Sequence, residues 1–159
     1  PDLMVRFRLM IVSNIAQHMR VGTPDAPADL SSMEGIINLI QEIGAPQARE
    51  VLRDAALNGN LLCQTFFVNL LIPALENEPS DHVKQEFEFF AKLAAEQGDP
   101  EAQFNLALHY SRGVDVSDGY LYEDDRKLLE QARDLHMKAA AQGFAPSVEA
   151  LKNLEVILS

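Results

Sequence analysis

The chain of 159 residues has one cysteine, Cys63, and no tryptophan. A lone cysteine excludes an intramolecular disulfide and a four-thiolate metal site, and it fits a reducing compartment. No stretch approaches the roughly 20 apolar residues that a spanning helix requires. Valine, isoleucine and threonine are too scattered to build strands. Positive charge is also scarce, with 13 Lys and Arg against 24 Asp and Glu, for a formal net charge of −11. Such a surface repels phosphate backbones and anionic lipid, so neither nucleic-acid binding nor membrane insertion is expected. It suits solubility, or steering toward a basic protein partner.

The first residues, Pro1 to Arg8, do not form a clean signal peptide, because arginines interrupt the apolar stretch and no small-residue cleavage site follows. A cytoplasmic location is the expectation. A periplasmic one is the alternative, should an export signal have been removed ahead of Pro1.

What is abundant is alanine and leucine at helical spacing, within an apolar fraction of 47%. Leu3, Phe7, Met10, Ile11 and Ile15 recur at three- and four-residue steps, predicting a helix over about 2–20. Ser31 and Glu34 form a capping-box pattern ahead of an apolar run to Ile43, and Gly44 stops it. Pro46 suits the first turn of a helix reaching about Asn58. A very apolar helix follows from about Leu61 to Leu75, with Pro73 expected to kink or end it. Ser80 or Asp81 starts the next, which runs to Gly98. Asp99 and Pro100 open a helix to Arg112, a long helix spans about Tyr122–Gln142, and a last one about Pro146–Leu158.

Three segments are alike: Ala55-Ala56-Leu57-Asn58-Gly59, Ala94-Ala95-Glu96-Gln97-Gly98 and Ala139-Ala140-Ala141-Gln142-Gly143, with the glycines 39 and 45 residues apart. Four residues on stand the small residues Cys63, Ala102 and Ser147; eight on stand Phe67, Leu106 and Leu151. Repeats at this period mark helical solenoids, in which small residues let paired helices approach and glycine supplies a left-handed turn. The expected fold is therefore all-α, a right-handed superhelix of stacked antiparallel helix pairs. The chain divides into an N-terminal helix (1–22), a degenerate helix pair (31–59), a degenerate repeat (60–98), the best repeat with an extended loop (99–143) and a capping helix (144–159).

The stretch from Ala94 through Gly98-Asp99-Pro100-Glu101-Ala102 to His109-Tyr110-Ser111-Arg112-Gly113 resembles the Sel-one-like repeat, a relative of the tetratricopeptide repeat. Met137 to Gly143 resumes the likeness. Ala107 stands where that family usually has glycine, and the stretch from Gly113 to Arg126 is longer than its usual turn. The resemblance implies a non-catalytic adaptor or scaffold that holds a protein partner in the groove of the solenoid.

The residues offer little catalytic chemistry. His18, His82, His109 and His136 include no pair at metal-binding spacing on one helix, and no cofactor is expected. Asp115, Asp118, Glu123, Asp124 and Asp125 surround Gly119, but the calcium-loop spacing would make ligands of Val114 and Val116. Cys63 sits at a small-residue packing position and reads as core. The candidate partner-binding residues are Asn105, His109 and Arg112, which share a stripe, Gln64 and Asn69, polar intrusions on an apolar helix, and Tyr120 and Tyr122 in the long loop. Besides the scaffold, two functions compete: an acidic inhibitor or immunity-type protein that neutralises a toxin or enzyme, and an enzyme with a site between helices.

Overall fold

The computed structural model describes residues 28–159, so the helix expected over 2–20 lies outside the described residues. Among the described residues there are seven α-helices and no strand: α1 (Met33–Ile43), α2 (Ala45–Leu57), α3 (Leu61–Asn77), α4 (Asp81–Glu96), α5 (Pro100–Arg112), α6 (Glu123–Ala141) and α7 (Ala145–Leu158). None of them is long and apolar enough to cross a membrane. The all-helical class expected from the alanine–leucine periodicity is what the described residues form.

The helix starts follow from side-chain oxygens placed over free backbone N–H groups. Ser80 Oγ accepts from Val83 N at 3.2 Å, and Asp99 Oδ2 accepts from Ala102 N at 2.8 Å, with Pro100 next in the first turn of α5. Asn60 does the same for α3, its Oδ1 accepting from Cys63 N at 3.0 Å. At α1 the cap is Ser32 rather than Ser31: Ser32 Oγ accepts from Gly35 N at 3.1 Å, whereas Ser31 donates its N–H and hydroxyl to Asp29 Oδ1. The reason is local, since Asp29 holds Ser31 in the preceding turn. Gly35 is required there for space, because a Cβ would stand 1.5 Å from the Asp29 carbonyl oxygen.

Three helix ends close in one way. Gly59, Gly98 and Gly143 have φ of 100°, 92° and 84°. The following N–H of Asn60, Asp99 and Phe144 donates back to Ala55 O, Ala94 O and Ala139 O at 2.9, 3.2 and 3.2 Å. The glycine N–H bonds the next carbonyl along, Ala56 O, Ala95 O and Ala140 O. This is the paired bonding of a Schellman ending, which needs a left-handed residue that glycine adopts without strain. Pro73, by contrast, does not end α3, which continues to Asn77. One lost backbone bond is offset by burying Leu71 and Leu75 on either side of it.

The described residues fall into two compact units, which divide between Phe67 and Val68, inside α3. In the first, α1 packs on α2, and Ile36, Leu39, Ala48, Leu52, Ala56, Cys63 and Phe67 are buried. In the second, α4 packs on α5, α5 on α6 and α6 on α7. The alanines Ala91, Ala94, Ala102, Ala107, Ala132 and Ala139 are buried there, which allows the helix axes to approach closely. Leu129, Leu154 and Ala107 pack with Tyr110, Val114, Leu121, Leu135 and Leu158, so the long loop is tied to the core by Val114 and Leu121.

Candidate functional site

The second unit carries an open groove of about 640 Å³ built from several successive segments. The last turns of α3 supply Leu75, and Pro79 follows in the turn to α4. Helix α4 supplies Lys84, Glu88 and Lys92, the end of α5 supplies His109, Tyr110 and Arg112, and α6 supplies Leu128 and Gln131. Its volume lies within the roughly 300–1,000 Å³ typical of ligand clefts. Lys84, Glu88 and Lys92 stand four residues apart and so share one face of α4.

The polar groups form a connected set. Lys92 Nζ lies 2.8 Å from Glu88 Oε1, and His109 Nε2 lies 3.4 Å from Glu88 Oε2. The hydrogen bond from Lys92 holds the Glu88 carboxyl below its usual range, aided by the charge of Lys92 and by His109. The same bond raises the Lys92 ammonium. Burial pushes the Tyr110 hydroxyl upward, against the pull of neighbouring Lys92. The His109 ring also leans on Phe87, with centroids 5.3 Å apart, and is fixed from the core side as well.

Of the residues singled out from sequence, the groove brings together His109 and Arg112. Asn105 is half-buried on the same helix but does not line it. Asn69 is exposed on α3. Gln64 belongs to the first unit and is 2% exposed, with Nε2 donating to Ala56 O at 2.9 Å. It therefore satisfies the end of α2 and offers no surface to a partner. Gln103 repeats the arrangement, donating to Ala95 O at 3.2 Å. Tyr120 and Tyr122 are exposed on the loop, their rings edge to face at 4.7 Å. Tyr122 Oη donates to Asp118 Oδ2 at 3.3 Å.

The acidic loop uses its carboxylates internally. Asp115 accepts from Ser117 N at 2.8 Å, which lowers its pKa, and Asp118 accepts from Tyr120 N at 2.9 Å. Among the described residues no group of three or more His, Cys, Asp or Glu side chains is placed to hold a metal ion. Cys63 is fully buried, and burial pushes its thiol up to about 11. His136, also buried, contacts Ser147 at 3.1 Å.

Lys84, Glu88, Lys92, Tyr110, Leu128 and Gln131 were not foreseen. The four-residue spacing on α4 was the available signal, and it was masked by the apolar stripe of Phe87, Phe90 and Ala94 on the same helix.

The described residues thus define an all-helical protein with an open, polar-lined groove. No family model, no curated protein and no solved structure matches the chain.

Proposed function

We propose that the chain is a non-catalytic protein-interaction module, an adaptor or scaffold, that receives a segment of a partner protein in the groove between α4, α5 and α6. The observation that carries this reading is the open groove, lined by the apolar Leu75, Pro79 and Leu128 together with long polar side chains. Apolar floors with a polar rim are the anatomy of peptide-binding surfaces. Glu88 is committed to Lys92 and His109, which makes it a brace for the rim.

The proposal extends to architecture. The chain is a tetratricopeptide-like solenoid with Sel-one-like repeats. What supports this is the same glycine ending at Gly59, Gly98 and Gly143, with the buried small residues Cys63, Ala102 and Ser147 four positions on.

Site-specific photocrosslinking tests the groove. A photoreactive residue at Gln131, which is exposed and lines the groove, should crosslink a discrete partner, identified by mass spectrometry and then titrated as purified protein. The same residue at Met137, exposed on α6 outside the groove, is the control. Equal crosslinking from both positions would sink the reading.

A further inference from the structure

The groove opposes the charge of the chain that contains it. Lys84, Lys92 and Arg112 line it, and Glu88 is the one carboxylate among its lining residues. Yet acidic residues outnumber basic ones by 24 to 13 in the whole chain. Glu88 is itself neutralised, with one oxygen on Lys92 and the other on His109. Lys84 and Arg112 are exposed, and among the described residues neither has an ion-pair partner. Tyr110 and Gln131 add neutral polar groups to the lining.

We propose that the groove takes an acidic peptide segment of a partner protein, its carboxylates on Lys84 and Arg112 and its apolar side chains on Leu75 and Leu128. This rests on the reading of the groove as the binding surface. It reverses the expectation of a basic partner, which came from net charge. Net charge sets the field far from the molecule, whereas the side chains at the contact set complementarity within it. Screening over roughly 8–10 Å at ordinary salt keeps the two separable. A long nucleic acid is repelled by the chain's net charge of −11, while a short peptide segment enters the groove alone.

Fluorescence anisotropy with defined probes decides the point. The probes are a short labelled peptide alternating Glu or Asp with Leu, its Gln/Asn counterpart, its Lys counterpart and a labelled oligothymidine. The acidic peptide should bind most tightly and weaken as salt rises. The double variant Lys84→Glu with Arg112→Glu should weaken it by about tenfold, as two exposed charge pairs allow. Both positions are on the surface, so the variant keeps its fold, and circular dichroism verifies this.

If the neutral or basic peptide binds best and Leu128→Asp abolishes binding, the groove stands as a docking site and the acidic assignment falls. If oligothymidine binds as tightly and loses affinity in the double variant, the occupant is a nucleic acid and the proposal is overturned. If no probe binds, both the acidic assignment and the groove reading fail.

Discussion

His136 Nδ1 and Ser147 Oγ face each other at 3.1 Å, joining α6 to α7 with both side chains buried. Ser147 stands where the equivalent turns place Cys63 and Ala102, and a hydroxyl there needs a partner that a thiol or methyl does not.

Burial lowers the His136 pKa below its ordinary 6.5, so the folded protein holds the imidazole neutral. The unfolded chain takes up a proton near 6.5 and the folded one only at lower pH. Stability is therefore unaffected above that pH and falls as pH drops below it, by at most about 1.4 kcal/mol per pH unit from this group. Urea unfolding between pH 8 and pH 5.5 should show the decline. His136→Phe, with no proton to gain, should flatten it, and an unchanged slope in that variant would refute the assignment.

Gln103 bridges two turns. It donates to Ala95 O at 3.2 Å and accepts from Gln142 Nε2, also at 3.2 Å, while Gln142 Nε2 lies 2.9 Å from Gly98 O. Gln103→Leu removes both of its side-chain bonds, worth about 0.5–1.5 kcal/mol each, while Gly98 N–H still bonds Ala95 O, and should cost about 1–3 kcal/mol. Gln142→Ala removes a donor whose stronger bond, to Gly98 O, is exposed and replaceable by water, and should cost about 1 kcal/mol or less. Equal losses in chemical denaturation would contradict this account.

Gly98 and Gly113 separate conformation from space. A Cβ meets nothing within 4 Å at either position, but only Gly98 has a left-handed φ, 92°. Gly98→Ala should destabilise by roughly 1–2 kcal/mol. Gly113→Ala, at φ −89°, should be neutral. Thermal unfolding of the two single variants provides the comparison.

Cys63 should be inert in the native state. A thiol raised to about 11 from 9.0 holds about 100-fold less thiolate at neutral pH, before burial blocks the reagent as well. Reaction with a disulfide reagent should be slow in buffer and complete within the mixing time in denaturant. Rapid native labelling would show that the side chain reaches solvent.

The helices were legible because their ends are written in short-range chemistry. Asp99-Pro100, Ser80 and Gly98 act on N–H and C=O groups a few residues away, and each does so in the fold. Ser31 misled by one position because Asp29, outside the four-residue pattern, claimed its hydroxyl. Pro73 misled because its cost is local while the burial of Leu71 and Leu75 depends on what packs around them.

The groove was less legible for the same reason. His109 and Arg112 lie on a polar stripe of α5, but their neighbours Lys84, Glu88 and Leu128 come from α4 and α6, and no spacing within α5 predicts them. Gln64 shows the opposite error. A polar residue on an apolar helix can point inward to a carbonyl as readily as outward to a partner, and here it points to Ala56.

Extensive packing within the second unit joins helices adjacent in the chain, α4 to α5, α5 to α6 and α6 to α7. Few wide loops must close before such contacts form, and chains of this topology fold quickly, in microseconds to milliseconds. The link from the Gln142 amide, back 44 residues to Gly98 and 39 to Gln103, is of longer range. Its formation belongs late on the folding path, after each helix has found its neighbour. Loss of the Gln142 amide should then speed unfolding and leave the refolding rate unchanged.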